Sequence, residues 1–174
     1  MELIDVKNVS GVIECYESKD NGKTWDFCFE KQNLITSVGE QNSAQRLIGD
    51  ADGYEMGFFA IGSGSSTASK GDTIVDGEYD RFAIDSQSVS VITNGYEIVN
   101  TLNLNPAEGN GTIRKIALIG HGPTTTLANY VASDPDAVGF EWKLLNYADI
   151  LLPSGKVKTV DISLKFIWRV RFTS

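Results

Sequence analysis

From Val157 to Phe172 apolar residues fall at alternate positions. Val160, Ile162, Leu164, Phe166, Trp168, Val170 and Phe172 share one side; Asp161, Ser163, Lys165, Arg169 and Arg171 share the other, with Ile167 the exception. Period-two alternation predicts a long strand with one face in a core and one in water. Such an apolar face needs a partner layer, which the rest of the chain must supply.

The same alternation recurs upstream. Residues 11–32 read as an N-terminal hairpin about Asn21-Gly22, a strong short-range turn signal. Counting outward from that turn sets Tyr16 opposite Phe27, Ser18 opposite Trp25 and Glu17 opposite Asp26, and brings Cys15 opposite Cys28. Residues 79–105 read as a second hairpin about Asn94-Gly95, with Val89 and Val91 on the face of Ile98, Leu102 and Leu104. Further strands are predicted over 54–61, 112–119, 125–132 and 140–152, the last with a bulge near Asn146. Only one segment changes period. Thr36 and Ser37 can cap, Val38, Ala44, Leu47 and Ile48 fall at helical spacing, and Gly49 can terminate, which predicts one short helix over 38–49. Turn signals separate these elements, among them Ser133-Asp134-Pro135-Asp136 and Pro153-Ser154-Gly155. The pattern predicts an all-β fold: one antiparallel β-sandwich domain spanning 1–174, with jelly-roll or immunoglobulin-like connections.

Composition narrows the function classes. The chain has 174 residues, enough for one domain with a sizeable core, and is 41% hydrophobic and 22% charged. A net charge of −8 and a pI near 4.6 disfavour non-specific binding to nucleic acid or anionic membrane. No apolar run reaches the roughly 18 residues that suggest a spanning helix. The start, Met1-Glu2-Leu3-Ile4-Asp5, lacks a basic and then apolar leader, so synthesis in the cytoplasm without a signal peptide is expected. Charge is also unevenly placed: Lys156, Lys158, Lys165, Arg169 and Arg171 face a single acid, Asp161, over 156–171. On the last strand Lys165, Arg169 and Arg171 project from one face. They form either a solvated outer face or a basic stripe that meets an acidic surface on another subunit.

Candidate chemistry is sparse. Cys15 and Cys28, as a non-hydrogen-bonded cross-strand pair with Cα atoms about 4.5 Å apart, could form a disulfide; two reduced thiols are the alternative. His121 is the single histidine, set between glycines without a nucleophile motif, and reads as a loop residue. Asp50-Ala51-Asp52-Gly53-Tyr54-Glu55 lacks the later ligands of a calcium loop. Gly62-Ser63-Gly64-Ser65-Ser66 lacks the lysine and following helix of a phosphate loop. The acid pairs Glu17/Asp26 and Asp80/Asp85 suit glycoside hydrolysis only in being acidic. Tyr54, Tyr79, Tyr96 and Tyr130 could stack on sugars or pack in the core. No catalytic residue, metal ligand or cofactor is expected.

Several short motifs occur in order: Asn33-Leu34-Ile35-Thr36 before the helix, Ala60-Ile61-Gly62-Ser63-Gly64, Gly77-Glu78-Tyr79-Asp80-Arg81, and Gly111-Thr112-Ile113-Arg114 before the long last strand. Over about residues 33–172 this resembles small structural proteins of tailed bacteriophages, of the tail, baseplate and tail-fibre type. The hairpin at 11–32 and the length of 121–139 depart from the resemblance. It implies a non-enzymatic virion component that contacts other virion proteins and copies of itself, in a ring or trimer. A capsid decoration protein is the alternative within that class. A carbohydrate-binding module for host-surface glycans is the alternative outside it.

Overall fold

The computed structural model describes residues 8–47, 49, 54–122, 142–149 and 155–173. They form twelve strands and one helix. One sheet joins β2 (Asp26–Gln32), β1 (Asn8–Ser18), β12 (Ser163–Thr173), β7 (Gly95–Leu104) and β6 (Ser86–Ile92), in that order. The second joins β3 (Leu34–Ile35), β10 (Trp142–Asp149), β9 (Lys115–His121), β4 (Glu55–Gly62) and β5 (Glu78–Ala83). A small ribbon pairs β11 (Lys156–Lys158) with β8 (Gly111–Ile113). Every pairing is antiparallel. The all-β sandwich read from the alternation is the observed architecture.

The core lies where that alternation places it. Leu164, Phe166, Trp168 and Val170 of β12 are buried with Ile13 of β1 and with Leu102 and Leu104 of β7, against Phe59, Ile61, Ile116 and Leu118 of the second sheet. The Trp168 ring lies 6.0 Å from that of Phe59. The other face of the second sheet buries a smaller cluster: Phe58, Ala60, Ala117, Ile119 and Val75.

The helix, α1 (Ser37–Leu47), begins one residue before the expected span of 38–49 and ends inside it. Thr36 caps it, its Oγ1 accepting from the Gly39 N–H at 3.0 Å. The helix packs on β10, and Gly39 lies so close that an added Cβ would stand 2.1 Å from the Leu145 carbonyl oxygen. Leu145 is also where the β9–β10 register shifts, next to the expected bulge site.

The strand expected over 112–119 is two, β8 in the small ribbon and β9 in the second sheet, parted at Arg114, whose N–H donates to the Gly62 carbonyl; three further expectations are corrected. First, the last strand is two: β11 pairs with β8 in the small ribbon, the chain turns at 159–162, and β12 then enters the large sheet. Val160 is exposed in that turn. The buried Lys158 ammonium holds the join, donating to the carbonyls of Pro106 and Thr159 and to Asn110 Oδ1. Second, residues 79–105 are not one hairpin. The Ile84 N–H donates to Gly57 in the second sheet, whereas the Asp85 N–H donates to Thr101 in the first, so the chain changes sheets between neighbours. The hairpin that does form, β6–β7, pairs Ile92 with Gly95 and Val91 with Tyr96. Its register is shifted by two residues, which keeps Val89 and Val91 on the expected face. Third, the first hairpin closes through a longer loop. Asp20 accepts from the N–H groups of Lys23 and Thr24 and from Thr24 Oγ1, which replaces a two-residue turn at Asn21-Gly22. The strand expected at 125–132, the turns at 133–136 and 153–154, Asp50 to Gly53 and Tyr130 lie outside the described residues.

Candidate functional site

The even positions of β12 fill the core, so the odd positions face away from the second sheet. There Arg169 is diagonal to Glu97 of β7, and Arg171 is directly opposite it. Arg169 Nη1 donates to Glu97 Oε1 at 3.0 Å and Arg171 Nε to Glu97 Oε2 at 2.8 Å. On the other flank, Arg169 Nε donates to Glu14 Oε1 of β1 at 2.8 Å, and Tyr16 Oη donates to Glu14 Oε2 at 2.8 Å. Burial pushes both carboxyls up, but the guanidinium bonds outweigh it and hold Glu14 and Glu97 below the ordinary carboxylate range. Lys165 stands apart from this network, its Nζ 4.1 Å above the Trp25 ring. Each of the three stripe cations thus has a partner within the chain. The sequence shows their shared face but not the acids opposite, because those lie on strands far away in the chain.

The two cysteines meet, though not as directly opposed residues. Tyr16 faces Phe27 as expected, but the next position of β1, Cys15, faces Phe29. Cys28 is the extra residue of a bulge at that step. The bulge turns Phe29 into the core beside Cys15. Both thiols are free; Cys15 is buried and Cys28 is half-buried. Each thiol donates to a backbone carbonyl, Cys15 Sγ to that of Tyr16 and Cys28 Sγ to that of Asp26; the Cys28 thiol beside it and burial push the Cys15 thiol up, while the Cys15 thiol draws Cys28 below its ordinary value. The charge of the Lys156 ammonium adds to that lowering. Lys156 also binds Glu17, which relieves the repulsion expected where Glu17 faces Asp26.

The remaining feature is an edge. Among the described residues β6 pairs only with β7. Its sequence, Ser-Gln-Ser-Val-Ser-Val-Ile, contains no charge and no proline. Val89 is 69% exposed and Val91 80%, beside the exposed Tyr96 of β7. The other long edges are defended. β2 carries Asp26, Glu30, Lys31 and the bulge; β5 carries Glu78, Asp80 and Arg81. Next to β6 lies a cleft of about 530 Å³, walled by Asn42, Ser43 and Arg46 of α1, by Tyr54, Glu55 and Met56, and by Gln87, Val89 and Ile98. Its polar walls are partly engaged: Asn42 bonds the Tyr54 backbone at both N–H and C=O, Arg46 pairs with Glu55, and Gln87 bonds Asn100 and the Met56 carbonyl.

The other candidates resolve into structural roles. His121 is not in a loop: it ends β9, half-buried, edge-on to Phe58 and over Gly57. Asp85 accepts from the Asn103 N–H and Nδ2, and Asp80 from the Arg81 N–H. Asp76 folds the 63–77 loop by accepting from the Ser66 N–H and Oγ, and Gly64 lies against it. Of the tyrosines, Tyr54 lines the cleft, Tyr96 flanks the open edge, and Tyr79 Oη reaches the Gly109 carbonyl. Among the described residues no group of three or more His, Cys, Asp or Glu could hold a metal ion, and no helix is long and apolar enough to cross a membrane. Comparison of the chain with protein-family models, with curated proteins and with solved structures finds no match.

Proposed function

We propose that the chain is a non-enzymatic structural subunit, a tail, baseplate or tail-fibre component of a bacteriophage virion, that docks on its neighbours by strand addition to β6. The phage assignment rests on the sequence motifs. The docking role rests on one observation: β6 is a seven-residue, uncharged edge whose valines face solvent. An edge of this kind offers unpaired N–H and C=O groups to another strand, and soluble proteins usually block it with charge, proline or a bulge. Here the other long edges carry such protection and this one does not.

Val89→Lys with Val91→Lys tests the reading. Both side chains are exposed, so the fold should survive; added lysines should block strand pairing. Sedimentation velocity should show concentration-dependent association of the wild-type chain and a monomeric variant, and the variant should fail to enter the particle. A wild-type chain that stays monomeric, together with normal incorporation of the variant, would overturn it. Imaging of the parent particle separates a tail position from that of a capsid decoration protein. Charge reversal at Arg169 and Arg171 tests the outer face as a further contact, with a fold control because it also breaks the Glu97 bonds.

The cleft beside β6 supports a second reading, recognition of a host-surface glycan. Tyr54 supplies an aromatic ring and Asn42, Arg46 and Gln87 supply polar groups around it. A glycan array that binds the wild-type chain but not Tyr54→Ala, on a chain that never self-associates, would favour it over assembly.

A further inference from the structure

The β1–β2 bulge brings four reactive or charged groups together. Cys28 is its extra residue, on an edge strand, with a partly exposed thiol. Cys15, on the next strand, is wholly buried, so reagents in solution reach Cys28 first. In the bulge Cys28 and Phe29 together oppose Cys15, and Cys28 packs on the core cluster that holds Cys15. From the β11 side, the Lys156 ammonium favours the Cys28 thiolate through its charge and is itself anchored by Glu17 of β1. A thiolate is the nucleophile in thiol–disulfide exchange, and a neighbouring ammonium stabilises it. Cys15, Lys156 and Glu17 are the groups that set the charge state of Cys28; Glu17 opposes the other two.

We propose that Cys28 and Cys15 form a thiol-exchange site for small-molecule disulfides, in which Cys28 Sγ attacks and Cys15 Sγ resolves. In the first step the Cys28 thiolate bonds to one sulfur of the small disulfide; its S–S bond breaks and one small thiolate leaves. In the second step Cys15 Sγ bonds to Cys28 Sγ; the mixed disulfide breaks, and the departing small thiol carries off the Cys15 proton. The two protein sulfurs are oxidised, and the small disulfide is reduced to a thiol and a thiolate. Among the described residues β2 pairs only with β1, so closing the bridge shifts one edge strand without disturbing a further ladder. The site lies on the opposite edge of the sheet from β6, so it operates whether or not the chain assembles there.

The test uses the full chain and oxidised glutathione at neutral pH, followed by intact-mass measurement and peptide mapping. The wild-type chain should pass through a single glutathione adduct on Cys28 and end two hydrogens lighter, with a raised melting temperature that falls back on reduction. Cys15→Ala should stop at the adduct. Cys28→Ala, checked for folding by circular dichroism, should not react. Lys156→Gln should react more slowly at neutral pH and move the pH of half-maximal reactivity upward by about one unit. A wild-type chain that remains unmodified, an adduct that never closes, a first adduct on Cys15, or a Lys156→Gln pH profile that coincides with wild type would overturn the proposal.

Discussion

Glu97 Oε2 accepts from Arg171 Nε at 2.8 Å, directly across the β7–β12 pair, while its other oxygen accepts from Arg169 at 3.0 Å. The Glu97 side chain is 7% exposed, so its charge depends on those two donors more than on water. Glu97→Gln keeps the shape but removes the charge and puts a donor where an acceptor stood. The expected loss is about 1–3 kcal/mol, the usual range for a buried hydrogen bond to a charged group. Glu14 still serves Arg169, so most of the loss should come from Arg171. Chemical denaturation of Glu97→Gln, Arg171→Gln and the double variant checks this: the double should lose less than the sum of the singles.

The same network sets a pH dependence. Glu14 and Glu97 titrate below the ordinary carboxylate range in the folded chain, and Glu17 does so through its bond to Lys156. A depressed folded value means that the unfolded chain takes up protons first as pH falls. The stabilisation is therefore complete above the unfolded value, about 4.3 for Glu, and is lost as pH falls from there through the folded values. Asp80 acts in the opposite sense, because burial raises it. The melting temperature should stay nearly level down to about pH 5 and then drop. In Glu97→Gln that drop should be shallower. An equally steep drop in the variant would show that Glu97 does not contribute to it.

Much of this fold is legible in the sequence because each central strand has one buried face, and alternation records that directly. Trp168, Phe166 and Leu164 fall inside for that reason. Alternation does not record where a strand stops. It runs on through Thr159-Val160-Asp161-Ile162, where the chain turns, and through Ile84-Asp85, where it changes sheets. A bulge is equally silent: with Phe27 and Phe29 flanking Cys28, either register gives β2 an apolar face, and only packing of Phe29 beside Cys15 selects the observed one. The open edge is the hardest to read. Ser-Val-Ser-Val looks half-buried in sequence, and its exposure follows from β6 being outermost, a fact of strand order rather than of pattern.

Trp168 separates a packing effect from a polar one. Its ring is wholly buried against Phe59, and its Nε1 has no acceptor among the described residues. Trp168→Phe loses buried area but also removes an unsatisfied N–H, which itself costs stability. The expected cost is about 1–2 kcal/mol, below the roughly 3–5 kcal/mol of truncating a large aromatic to alanine. Trp168→Asp should abolish soluble folding, since a carboxylate would replace the ring in an apolar site. Urea titration of Trp168→Phe and a solubility assay of Trp168→Asp check the pair. A soluble, cooperatively melting Trp168→Asp would refute the core placement.

Gly95 begins β7 at the turn that follows β6, and it pairs with Ile92 on one side and Thr173 on the other. A Cβ built there would lie 1.9 Å from the Phe172 carbonyl oxygen. That oxygen is backbone on a central strand, so it cannot swing aside as a side chain would. Gly95→Ala should therefore force β7 away from β12 at this end and cost about 1–3 kcal/mol, the range for overpacking a close contact. Gly71→Ala is the matched control: its Cβ would meet nothing closer than Ser69 Oγ at 3.9 Å, so it should be nearly neutral. The displacement should also reach the open edge, because among the described residues β6 holds to the sheet only through β7. Amide hydrogen exchange should thus speed up along Ser86–Ile92 in Gly95→Ala and stay unchanged there in Gly71→Ala. Equal protection of β6 in both variants would mean that the contact at Phe172 is relieved locally and does not hold the edge in place.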